Sequence, residues 1–129
     1  MKALVVDDSR AVRMMLRRML TELGFDECLE AGHGIEALSR LDESGAPDVM
    51  LVDWNMPEMN GLDLIRAVRA NPARRQIPIV MVTTETEIEQ VVRALAAGAN
   101  EYVMKPFTRD VILDKLDLLG IVARDGDRT

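Results

Sequence analysis

The side chains best equipped for chemistry in this chain are three aspartates, a threonine and a lysine, each standing just after a short aliphatic run. Asp7 and Asp8 follow residues 3–6, Asp53 follows 49–52, Thr83 and Thr84 follow 79–82, and Lys105 and Pro106 follow 102–104. Carboxylates gathered within a few ångströms repel one another and raise each other's pKa. A hard divalent cation relieves that repulsion. Mg²⁺ suits such a place because it binds through one or two carboxylates, keeps some of its waters and takes phosphate oxygens as further ligands. Mn²⁺, with the same taste for oxygen, is a substitute. Lys105 adds a point charge and Thr83 a hydroxyl donor. A carboxylate nucleophile, a metal, an ammonium and a hydroxyl together are what phosphoryl transfer to an aspartate requires, since the task is alignment and neutralisation of charge.

Whether these groups meet depends on the elements that carry them. The runs 3–6, 49–52, 79–82 and 102–104 are rich in Val and Ile and do not alternate, as parallel strands covered on both faces read. Residues 27–31 form a weaker strand suited to an edge. Helical spacing appears between the runs. Val12, Met15, Leu16, Met19, Leu20 and Leu23 mark a helix stopped by Gly24, and Ile35, Leu38 and Leu41 a second, ended near Ser44, Gly45 and Pro47. Leu62, Ile65 and Val68 mark a third before Asn71-Pro72, and Ile88, Val91, Val92 and Leu95 a fourth before Gly98. Thr108 caps a fifth, carrying Val111, Ile112, Leu116 and Leu119. The pattern is (βα)₅, an α/β fold. Right-handed crossovers make it a doubly wound parallel sheet, and the flavodoxin-like order 2-1-3-4-5 is the common arrangement for five such units. Strands one, three, four and five are then neighbours. Their carboxyl ends bring the aspartates, the threonine and the lysine to one edge, where ligands bind in open α/β sheets.

Each residue alone has an ordinary explanation. An acidic pair after a strand serves as a helix cap, a threonine simply ends a strand, and a lysine before proline lies on the surface. Their meeting on one edge has none.

The chain of 129 residues fits one domain: residues 1–120 as the folded unit and 121–129 as a polar tail too short for an output domain. No apolar run approaches the ~20 residues of a membrane span, and Asp7-Asp8 cuts the N-terminal run short of a signal peptide, so the cytoplasm is expected. The lone Cys28 reads as a buried strand thiol in a reducing compartment. The net charge of −6 argues against nucleic acid as a partner, and the early Arg10, Arg13, Arg17 and Arg18 read as a solvated helix face balancing acids elsewhere.

Asp7-Asp8, the stretch from Asp53 through Trp54, Asn55, Met56, Pro57, Glu58, Met59 and Asn60 to Gly61, Thr83, and Lys105-Pro106-Phe107 resemble the receiver domains of response regulators, most of all the single-domain chemotaxis type. The resemblance runs from residue 1 to about 119. It implies that Asp53 is the phosphoacceptor. Asp8 and Asp53 would ligate the metal directly, Asp7 through water, and Asn55 through its main-chain carbonyl. Thr83 would be the switch hydroxyl, Lys105 would contact a phosphoryl oxygen, and Tyr102 would change rotamer on activation. A cis Lys105–Pro106 bond is also implied. Asn55 and Glu85 match positions that tune the lifetime of the acyl phosphate. The implied phosphodonor is a histidine kinase, and the implied output is binding of a protein target, such as a flagellar switch component, on the face of helix four, strand five and helix five. Ile88, Val92, Tyr102 and Lys115 are the candidates for that surface. A monomer is expected, with dimerisation on phosphorylation left open, and so are a phosphorelay intermediate or a regulator outside motility.

Two departures stand out. His33 precedes Gly34 where relatives carry an acid or Asn, and reads as an unpartnered surface-loop residue. Glu87 and Ile88 stand where enteric chemotaxis regulators carry lysines, which puts docking to the same flagellar target in question. Two other classes compete with a signalling switch. A phosphatase using an aspartyl phosphate would want an acid two residues after the nucleophile, where this chain has Asn55. A nucleotide or flavin carrier would want a Gly- or Ser-rich phosphate loop after the first strand, where Asp7-Asp8 stands. The expected role is therefore a phosphoacceptor that loses its phosphate slowly, rather than a turnover enzyme.

Overall fold

A computed structural model describes residues 1–84 and 88–122. Five parallel strands, β1 (Lys2–Val6), β2 (Glu27–Ala31), β3 (Val49–Asp53), β4 (Ile79–Thr83) and β5 (Glu101–Met104), form one sheet in the order β2-β1-β3-β4-β5. The connections are helices α1 (Arg10–Glu22), α2 (Gly34–Ser44), α3 (Gly61–Ala70) and α4 (Ile88–Ala97), and α5 (Arg109–Leu118) follows β5. A short 3₁₀ turn, Pro72–Arg74, which the spacing does not announce, lies between α3 and β4.

Successive strand side chains point to opposite faces, so an unbroken aliphatic run supplies two cores at once. Leu4, Val6, Met50, Val52, Ile79 and Met81 meet Ala37, Leu41, Leu64, Ile65, Val68 and Ala94, which places α2, α3 and α4 on one face. Ala3, Val5, Val49, Leu51, Val80, Val82 and Val103 meet Leu16, Leu20, Ile112 and Leu116, which places α1 and α5 on the other. The core sits in these two layers and leaves the carboxyl ends of the strands open for chemistry.

Local signals set the helix ends. Ser9 accepts from the Val12 amide, Asn60 from Asp63 and Thr108 from Val111, each satisfying an amide with no partner inside the helix. Gly24 takes φ +104° just past α1, a conformation that other residues rarely adopt.

Several spacing-based expectations need correction. The helices pack on the sheet through stripes narrower than their apolar periodicity suggests, so Met15, Ile35, Val92, Leu95 and Val111 are exposed. Cys28 is half-buried, because its strand is an edge. His33 is no unpartnered loop residue. It is the N-cap of α2, its Nδ1 accepting the Glu36 amide at 3.2 Å, with the Glu58 carboxylate 3.8 Å away. A ring nitrogen acceptor fills the place usually taken by Asn or Asp. Arg13 and Arg17 do balance an acid, since both bind Glu30 of β2, but Arg13 is not on a solvated face: it turns back toward the sheet and is mostly buried. The tail residues 123–129, with Glu85 and Glu87, lie outside the described residues.

Candidate active site at the carboxyl edge of the sheet

The register puts the ends of β1, β3, β4 and β5 side by side: Val6 pairs with Val52, Asp53 with Val82, and Thr83 with Met104. The next residues along each strand are the ones singled out for chemistry. Asp7 and Asp53 are buried, at 1% and 6% exposure, and Thr83 at 2%, while Asp8 is exposed to incoming ligands. One oxygen from each of Asp7, Asp8 and Asp53 lies within 4.8 Å of the other two.

Lys105 ties the two buried carboxylates of this cluster together. Its Nζ donates to Asp7 Oδ2 at 3.0 Å and to Asp53 Oδ1 at 3.2 Å. The Lys105 amide donates to the Thr83 carbonyl at 2.8 Å, and the Lys105–Pro106 peptide is cis. Burial works against the ammonium, but hydrogen bonds and charge from Asp7 and Asp53 outweigh it, and its pKa is raised. Asp7 is fixed further by the Ser9 amide, which donates to Oδ1 at 2.8 Å.

Asp53 carries the electrostatic strain. Burial, then repulsion from Asp7 and more weakly from Asp8, outweigh the help from Lys105 and push its carboxyl up to about 6. A group held against its own ionisation, beside two more carboxylates and open to water at Asp8, has the donor chemistry of a hard divalent cation site. The residues fit Mg²⁺.

Gly61 has a role that the sequence did not assign. A Cβ there would lie 2.3 Å from the Asp53 carbonyl oxygen and 3.1 Å from Trp54 Cα, and the Gly61 amide already donates to the Trp54 carbonyl at 2.9 Å. The helix start is pressed against the backbone that presents Asp53, and only a hydrogen fits. Gly61→Ala is expected to cost about 1–3 kcal/mol through forced backbone movement and to shift Asp53 with it. A urea midpoint equal to wild type would show that the loop yields freely.

Of the other predicted residues, Asn55 is exposed, two residues beyond Asp53. Tyr102 is half-buried against the core under α2–α4, with Lys115 Nζ 4.8 Å from its ring centre. Lys115 also pairs with Glu101 at 2.9 Å, and Val92 is 56% exposed on α4. The side chain of Ile88 and all of Glu85 lie outside the described residues.

Comparison with known proteins shows the family and agrees with the fold. Residues 3–117 match the model for the response regulator receiver domain. The chain is 49% identical over 119 residues to chemotaxis protein CheY1 of Helicobacter pylori, covering 92% of this chain and 96% of that one. It is 49% identical over 127 residues to a CheY homolog of Campylobacter jejuni, covering 98% of each. The crystallised chemotaxis protein CheY4 of Vibrio cholerae superposes with a TM-score of 0.84 at 37% identity, covering 91% of this chain and 96% of that one.

Proposed function

The chain belongs to the response regulator receiver domain family, and on that premise we propose that it is a Mg²⁺-dependent phosphoryl switch acting in chemotaxis, with Asp53 as the acceptor. The observation that carries this reading is Lys105 Nζ bridging Asp7 and Asp53 while Asp8 stands open beside them. In the reaction, an Asp53 carboxylate oxygen attacks the phosphorus of a phosphohistidine on a partner kinase. The P–N bond breaks, the imidazole leaves with the electron pair, and an acyl phosphate remains. Mg²⁺ held by Asp8 and Asp53, by Asp7 through water and by the Asn55 carbonyl would neutralise charge on the transferred oxygens. Lys105, already aligned on Asp53, turns to one phosphoryl oxygen while Asp7 keeps its base in place. Thr83, buried at the end of the adjacent strand, supplies the hydroxyl that follows the new dianion.

The phosphoryl group acts by contacting one of two packings better than the other. The output on this reading is a changed face formed by α4, β5 and α5, where Val92, Tyr102 and Lys115 stand, read by a protein target such as a flagellar switch component. The relatives named for chemotaxis favour that target. Asn55 carries no acid to protonate a leaving group, which fits slow loss of phosphate rather than turnover. No described helix is long and apolar enough to cross a membrane. The place proposed for the chain is the cytoplasm, beside the kinase.

Trp54 is buried and adjoins Asp53, so it reports on the site. Its fluorescence should change on adding beryllofluoride or acetyl phosphate with Mg²⁺, and Asp53→Asn should abolish the change. Silence in both proteins, together with no acid-labile adduct by mass spectrometry, would overturn the phosphoacceptor reading.

A further inference from the structure

We propose that Arg13 is a positioning residue for the cation site, clamping the peptide that joins Asp7 to Asp8. The inference rests on the Mg²⁺ reading above. Arg13 lies one turn into α1 with its side chain only 18% exposed, and it bends back toward the end of β1. Its Nη1 donates to the Asp7 main-chain carbonyl at 2.7 Å. Its Nε donates to Glu30 Oε1 at 3.0 Å on β2. Glu30 is itself anchored, for Arg17 Nη1 reaches Oε2 at 2.7 Å and Arg40 Nε reaches its main-chain oxygen at 3.1 Å. Burial disfavours the Glu30 carboxylate, yet the two arginines outweigh it and hold its pKa down, so the anchor stays charged.

The consequence is that Asp7 is held at each of its polar groups. The Asp7 amide donates to the Ala31 carbonyl at 3.0 Å, and its carboxylate is held by Ser9 and Lys105. Its carbonyl, the remaining group, is held by Arg13. That carbonyl belongs to the peptide leading into Asp8, so its orientation sets the direction in which the exposed Asp8 carboxylate is presented.

Electrostatics alone would not place an arginine here. A cation near the N-terminal end of α1 opposes the helix dipole, and it also opposes a second cation at the neighbouring carboxylates. What Arg13 contributes is its fork, which reaches a carboxylate and a carbonyl at once in a way that a lysine ammonium cannot. Geometry and charge therefore predict opposite signs for one substitution. Losing the charge alone would tighten Mg²⁺ binding; losing the clamp loosens it.

The test is titration of the full chain with MgCl₂ alone, read by Trp54 fluorescence and by calorimetry, with far-UV circular dichroism to confirm folding. Arg13→Gln and Arg13→Lys are both expected to bind Mg²⁺ about tenfold more weakly, the scale of losing a group that orients a ligand. Arg17→Gln removes the same charge from the same Glu30 without touching Asp7, and should bind like wild type. Unchanged or tighter binding by Arg13→Gln would overturn the clamp, as would wild-type affinity in Arg13→Lys or an equal loss in Arg17→Gln. If Arg13→Gln does not fold, the lysine variant decides. An Asp8→Asn control that binds as well as wild type would sink the cation site itself, and the clamp with it.

Discussion

At pH 7.5 and without divalent cation, Asp53→Asn is expected to resist urea better than the wild-type chain, although it removes the reacting group. The folded carboxyl titrates at about 6, against 3.8 for an unstrained aspartate. The folded state therefore binds its proton more tightly than the unfolded state. Between about pH 4 and 6 the folded state carries more protons, and stability falls as pH rises through that window. Below it both states are protonated and nothing is lost; above it both are ionised and the penalty stands in full. At about 1.4 kcal/mol per pH unit, the full penalty is on the order of 3 kcal/mol. The amide escapes it. Lys105 loses a partner at 3.2 Å in the variant but keeps Asp7 at 3.0 Å, so the gain is not cancelled. Urea midpoints of the two proteins should agree near pH 4, diverge up to pH 6 and run parallel beyond. Saturating Mg²⁺ should close the gap by stabilising folded wild type. A difference that ignores pH would refute the assignment of strain to Asp53.

That strain was legible in the sequence only as a juxtaposition. Aliphatic runs without alternation identify strands covered on both sides, and the strand order follows from the βα repeat. Carboxylates after the runs then have to meet. The sheet bears this out, with Asp7, Asp8, Asp53 and Lys105 gathered at its carboxyl edge. What periodicity does not contain is the fine fit of one element on another. Leu16 and Leu20 are buried while Met15 is exposed, although all three lie on the spacing of α1, because packing selects a narrower stripe than hydrophobicity offers. His33 looks like a stray residue until its ring nitrogen is seen to cap α2. Gly61 looks like one more loop glycine until the Asp53 carbonyl is found against its hydrogen. Arg13 is one of four arginines on α1, and only the backbone path of β1 shows that it reaches the Asp7 carbonyl. Such contacts depend on the exact path of the backbone, to a tenth of a nanometre, and hydrophobic periodicity does not encode them.

The opposite perturbation at the same site tests whether Lys105 balances the two buried carboxylates. Lys105→Met keeps much of the length and apolar stem while removing the charge, leaving Asp7 and Asp53 facing each other without a cation. Removing one partner of a buried ion pair costs about 3–5 kcal/mol, and the lower end applies because the lysine is 18% exposed. At pH 7.5 without Mg²⁺ the variant should thus lose about 3 kcal/mol in urea unfolding. Two conditions should restore much of it. Acid near pH 5 protonates Asp53, which sheds one of the opposing charges, and Mg²⁺ supplies a different cation to the same oxygens. Recovery of folding by Mg²⁺ should not restore reaction with acetyl phosphate, which should stay slower by about 10²–10³-fold for want of the donor to the transferred oxygens. Folding and chemistry would then separate in one variant, because Mg²⁺ can replace the charge of Lys105 but not its position. If the variant folds normally without Mg²⁺ at pH 7.5, the two carboxylates do not need the lysine, and the bridging contacts at 3.0 and 3.2 Å contribute little to stability.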